Sequence, residues 1–93
     1  MAQMSQAEIK QLVRQGKENK GLRRWVVLET HGLSTLRRLY VGDQEIGYDC
    51  VSLSPATEGQ ATVRQVIGAF DRPVAYGTAR KFMMADKTKV AAA

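Results

Sequence analysis

The chain has 93 residues, 44% of them apolar and 25% charged, which is one domain's worth of ordinary globular composition. That mix excludes a disordered or low-complexity body. No apolar run approaches the roughly 20 residues of a membrane-spanning helix, and the polar first twenty residues do not read as a secretory signal. Fourteen Lys and Arg against nine Asp and Glu give a net charge of +5, which favours an acidic partner, either nucleic acid or an acidic protein surface.

The charge is unevenly spread. Residues 1–40 carry eight bases and three acids, residues 41–58 four acids and no base, and residues 59–93 six bases and two acids. A lone cysteine, Cys50, excludes an internal disulfide and fits a small buried side chain in a reducing cytoplasm.

The first element is a helix over about residues 6–19. Ser5-Gln6-Ala7-Glu8 has the spacing of a capping box, and Met4 and Ile9 fall at the positions of a hydrophobic staple. Ile9, Leu12 and Val13 form a narrow apolar stripe, with Lys10, Arg14 and Lys17 on an adjacent side. Gly16 weakens the last turns, and Asn19-Lys20-Gly21 ends the helix.

Residues 23–30 then read as a strand. Trp25-Val26-Val27-Leu28 is apolar on both sides, which predicts a central position in the sheet, and His31-Gly32 breaks it.

Residues 35–53 read as a hairpin around a two-residue Gly42-Asp43 turn. That turn pairs Val41 with Gln44, Leu39 with Ile46 and Arg37 with Tyr48. It places Val41, Leu39, Ile46, Tyr48 and Cys50 on one face, with Arg38, Tyr40, Glu45 and Asp49 on the other. The apolar parity slips between Cys50 and Val51, which predicts a β-bulge near Asp49–Val51. A short helix over 34–41 is the competing reading.

Ser54-Pro55, or Thr57 with Gln60, would start a second helix. Val63, Val66, Ile67 and Phe70 stand at i, i+3, i+4 and i+7, a helical core stripe, and Asp71-Arg72-Pro73 ends it. A last strand runs from Val74 towards Met83, with a helix from Thr78 as the alternative. The predicted fold is α+β: a small antiparallel sheet with two helices on one face, in the order α-β-β-β-α-β. One compact domain is expected over residues 1–86, with a frayed tail over 87–93.

Little in this chain points to catalysis. One His and one Cys fall short of a zinc set. Asp43, Glu45 and Asp49 alternate along a hairpin rather than converge, and their expected role is to pair with Arg38 and keep a sheet face soluble. His31 with Cys50 lacks any accompanying nucleophile motif, and no glycine-rich phosphate loop is present. No metal and no cofactor are expected.

The basic residues are the one collective feature. Lys10, Arg14, Lys17, Arg24 and Arg38 are the candidate anion-binding set, with Trp25 or Tyr40 available for stacking. The composition predicts a cytoplasmic, non-catalytic binding protein that engages nucleic acid and not a membrane. The alternative is a small inhibitor or adaptor, of the kind phages and plasmids carry, that docks on another protein.

Overall fold

The computed structural model describes residues 5–53 and 62–88. Helix α1 spans Gln6–Glu18. Its N-terminus closes as a capping box: the Glu8 N–H donates to Ser5 Oγ at 3.2 Å, and the Ser5 N–H donates to the Glu8 carboxylate at 3.3 Å. Gly16 is not a weak point. It is buried against Val41, whose Cγ2 would stand 3.0 Å from an added Cβ, so the missing side chain is what lets the helix approach. A 3₁₀ turn over Lys20–Leu22 leads into the sheet.

The sheet has four antiparallel strands in the order β1-β2-β3-β4: β1 Arg23–His31, β2 Ser34–Val41, β3 Gln44–Leu53 and β4 Val63–Ile67. Helix α2, Tyr76–Met84, follows. The class is α+β, and the observed order is α-β-β-β-β-α.

The predicted fifth and sixth elements are thus exchanged. Val63–Ile67 is a strand because β-branched residues dominate it and Gly68, at φ 75°, ends it. Its misleading helical spacing has a cause in the ladder. Ile67 pairs with Cys50 and Gln65 with Val51, so Val66 is an extra residue. That bulge lets the adjacent Val66 and Ile67 both pack against one core cluster. The proposed helix starts at Ser54-Pro55 and Thr57, like the Met4 staple, lie outside the described residues.

At the other end, Val74 makes a single bridge to Tyr48, and strand pairing stops there. The chain then coils, and Ala79 and Met83, four residues apart, are both buried in the core.

Strand β1 is an edge strand, not a central one. Its apolar run stays half exposed on both sides: Trp25 55%, Val26 49% and Val27 53%. Apolar alternation reports lack of polarity, and here the neighbour that would cover it is missing from the sheet.

The hairpin is present, with Gly42 at φ 61° in its turn, and residues 34–41 are strand rather than helix. Its register holds for Val41 with Gln44 and then slips by one. Tyr40 pairs with Glu45 and Leu39 with Gly47, which leaves Ile46 as a bulge. Arg38 therefore faces Tyr48, and Arg37 faces Asp49. The predicted pairs Leu39–Ile46 and Arg37–Tyr48 do not form. Gly47 permits the bulge: its φ is 146°, and an added Cβ would stand 2.7 Å from Pro73 Cβ. The bulge expected near Asp49–Val51 does fall at Cys50–Val51, but in the ladder to β4, where Val66 is the extra residue; against β2 both residues pair in regular register. They point to opposite faces, and both faces are covered at that point.

Two small cores follow, one on each face, so the helices do not share a side. Leu39, Val41 and Ile46 pack with Leu12, Val13, Leu22 and Phe70, on the α1 side. Leu36, Cys50, Ala79 and Met83 pack with Leu28, Tyr48, Val66, Ile67 and Val74, on the α2 side. The expected common core of both helical stripes is split between them, because Phe70 goes to the first cluster and Val66 and Ile67 to the second.

Asp86 fastens the C-terminal end of α2 to the β1–β2 turn. Its carboxylate accepts from the Leu33 N–H at 3.1 Å, the Ser34 hydroxyl at 2.7 Å and the Thr88 N–H at 2.9 Å. These donors hold its pKa well below the usual carboxylate range, Ser34 first and Thr88 next.

Leu36→Ala and Leu39→Ala should each cost about 2–5 kcal/mol in urea unfolding, since both side chains are fully buried. Because their clusters lie on opposite faces, the double variant should sum the two costs within about 0.5 kcal/mol. A large coupling would contradict two separate cores.

The Asp86 clasp predicts a pH dependence. A carboxylate depressed by folding stabilises the fold above the unfolded pKa, and that contribution is lost as pH falls towards the folded value. Wild-type melting temperature should drop on acidification below the ordinary value of 3.8, and the gap between wild type and Asp86→Asn should narrow over the same range. A constant gap would show that the charge on Asp86 is irrelevant.

Candidate nucleic-acid interface

Side-chain alternation sorts the candidate residues onto the two faces. On β2, Leu36, Arg38 and Tyr40 share the α2 side, and Arg37, Leu39 and Val41 share the α1 side. Helix α2 packs over Leu36 and Cys50, away from the Gly42-Asp43 turn. The turn-proximal half of that face therefore carries Arg24, Val26, Arg38, Tyr40, Glu45 and Tyr48.

Two arginines lie on two tyrosines there. The Arg24 guanidinium carbon is 5.4 Å from the Tyr40 ring centroid, and that of Arg38 is 5.7 Å from the Tyr48 ring. Arg24 Nε donates to the Gly42 carbonyl at 3.2 Å, which fixes its stem across the turn. Tyr48 is held in turn by an edge-on contact with Tyr76, at 5.3 Å between centroids. The Tyr40 and Tyr48 side chains raise the Arg38 pKa further above its ordinary value.

Each arginine also has an acid nearby. Asp43 lies 3.6 Å from Arg24, and Glu45 lies 3.6 Å from Arg38. The side chains of the first pair are 59% and 99% exposed, so it is solvent-screened and contributes little. Those of the second are 36% and 45% exposed, and Arg38 Nε is itself buried without a hydrogen-bond partner among the described residues. The expectation that the hairpin acids pair with Arg38 thus holds for Glu45 alone.

Asp49 has a different role. It is fully buried on the α1 side and accepts from Arg37 Nε at 2.9 Å, Arg37 Nη2 at 2.6 Å and Gln65 Nε2 at 2.9 Å. Arg37 also lies over Trp25, 5.0 Å from the ring centroid. This buried, two-pronged pair ties β2, β3 and β4 together.

The five predicted anion-binding residues do not converge. Arg24 and Arg38 share the open half of the α2-side face. Lys10, Arg14 and Lys17 lie on α1, which packs on the other face. These three are exposed and form no ion pair among the described residues.

Sequence reasoning missed Tyr48 as an arginine partner because it placed Tyr48 on the face of Leu39, Val41 and Ile46; it lies on the other face, against the Leu36–Cys50 cluster. The available signal was Gly47, the residue that permits the bulge and so moves Tyr48 opposite Arg38.

Cys50 is buried, and burial raises its thiol pKa, which disfavours the thiolate. Among the described residues there is no group of three His, Cys, Asp or Glu side chains able to hold a metal ion, and no helix is long and apolar enough to cross a membrane.

Compared with known proteins, the chain matches no family model, no curated protein and no solved structure.

Proposed function

We propose that the domain is a non-catalytic binding protein that takes single-stranded nucleic acid on the open half of its α2-side sheet face. The observation that carries this reading is the pair of arginine–tyrosine contacts, Arg24 over Tyr40 and Arg38 over Tyr48. A guanidinium lying on a ring has its second plane free for an unstacked base, while its edge N–H groups suit phosphate oxygens. Asp43 is a weak competitor at 3.6 Å in solvent, and Glu45 comes no closer to Arg38. Lys10, Arg14 and Lys17 are too far round the molecule to share that contact. Their role in this reading is to supply the positive field that speeds encounter.

A second reading has its own observation. Three consecutive half-exposed apolar residues, Trp25, Val26 and Val27, favour a protein partner, as expected of an inhibitor or adaptor.

Fluorescence anisotropy with a labelled single-stranded oligonucleotide at low salt tests the first reading. Two to four phosphate contacts predict a slope of log affinity against log salt of about −1.5 to −3. Tyr40→Ala should cost about 1–3 kcal/mol of binding. Arg24→Ala with Arg38→Ala should abolish the shift while leaving the melting temperature nearly unchanged. The Lys10/Arg14/Lys17 triple alanine should slow association and leave the complex's lifetime near that of wild type. No shift of any single strand at low salt would defeat the proposal. Equal binding by the Arg24/Arg38 variant would defeat the assigned site.

A further inference from the structure

We propose that β1 is the subunit interface of a symmetric dimer, in which the β1 edges of two copies pair antiparallel about a two-fold axis at Val26. This goes beyond the nucleic-acid reading and does not depend on it.

The kind of occupant follows from which residues are bare. Trp25, Val26 and Val27 are consecutive, so their side chains alternate between the two faces, yet all three are about half exposed. A helix laid on one face would cover Val26 alone, or Trp25 and Val27 alone. A strand added at the edge covers all three. Strand β1 ends the sheet, so the outer backbone groups of its edge have no strand to pair with among the described residues.

The phase of the ladder shows which groups these are. The Gly42 N–H donates to the Leu22 carbonyl at 2.8 Å. With a period of two, Arg24 and Val26 also turn their backbone groups towards β2, and Trp25 and Val27 turn theirs outward. A two-fold at Val26 sets Trp25 opposite the partner's Val27 and the reverse. In that register the outward groups of one copy meet those of the other.

The same register is complementary in side chains. Val26 meets its own copy on the α2 side, and Trp25 meets Val27 twice on the α1 side. Arg24 is set opposite the bulge that begins at Leu28, beside the partner's Glu29 on the same face. Within one copy, Tyr76 Oη and Arg80 Nε both approach Glu29 Oε2, at 2.8 and 3.4 Å. The arginine-bearing start of each strand thus lies near a carboxylate of the other copy, an attraction that needs no direct contact, since Arg24 keeps its place on Tyr40 and the Gly42 carbonyl. A register centred on Trp25 would instead place Arg24 against Val26 and bring the arginine-rich ends of the two strands closer together. The charges therefore select the register at Val26. The axis runs perpendicular to the sheet, so an eight-stranded sheet results with both arginine–tyrosine faces on one side.

Sedimentation equilibrium of the full chain, free of nucleic acid, tests the proposal. Wild type should form a concentration-dependent dimer. Val27→Lys should weaken it by roughly thirtyfold or more, because a charge replaces an apolar contact at the centre of the interface. Disulfide trapping tests the register without relying on that variant's folding. Val26→Cys places two thiols across the axis at a Cα separation of about 4.5 Å, within bridging range. Val27→Cys places them more than about 8 Å apart, beyond it. The first should be trapped as a dimer under mild oxidation, and the second should not. A monomer at every concentration would overturn the proposal. So would a dimer indifferent to Val27→Lys, or equal trapping at both positions.

Discussion

Leu36 and Leu39 stand three residues apart on β2, and an odd separation on a regular strand means opposite faces. Both are fully buried, so one strand must be covered from both sides. Among the described residues, the helices cover half of each face. Helix α1 shelters the turn-proximal half of one face over Leu39 and Val41, and α2 shelters the distal half of the other over Leu36 and Cys50. The bulges, the exposed faces and the candidate interface all follow from this staggered cover.

The two uncovered halves are handled differently. On the α1 side, the sheet beyond the helix is filled by Asp49, clamped by Arg37 and Gln65, with Arg37 lying under Trp25. Removing one member would strand a buried charge, so this cluster constrains register more than it adds stability. On the α2 side, the open half carries Arg24, Arg38, Tyr40 and Tyr48, and its ion pairs are loose, 3.6 Å each, although Arg38 Nε is buried. The first arrangement is spent on internal contacts. The second leaves donors and ring-backed guanidinium planes facing solvent, which is why the binding proposal rests there.

The legible parts of the sequence were the local ones. The Ser5–Glu8 capping box, the Gly42-Asp43 turn and the His31-Gly32 break each depend on residues a few positions apart, and each stands as read. Two of the misreadings come from bulges. Ile46 displaces Tyr48 from its expected pairing, and Val66 gives a strand the spacing of a helix. A bulge needs a reason outside its own strand. Gly47 is bulged where Pro73 and Val74 press against it, and no pattern within residues 35–53 contains that neighbour.

For the candidate site, the sequence by itself determined which residue types were available: a surplus of cations, two arginine pairs and tyrosines within reach. It also determined that Arg23 and Arg24, or Arg37 and Arg38, could not act together, because neighbours on a strand point to opposite faces. Only the tertiary structure decided which of each pair is free. Arg37 is taken by Asp49, and Arg23 lies over Phe70, while Arg24 and Arg38 face the open sheet. It also decided that Lys10, Arg14 and Lys17 stand apart from them, since the face on which a helix packs is set by which half of the sheet offers it an apolar surface. That surface exists only once β2, β3 and the Phe70 loop have met.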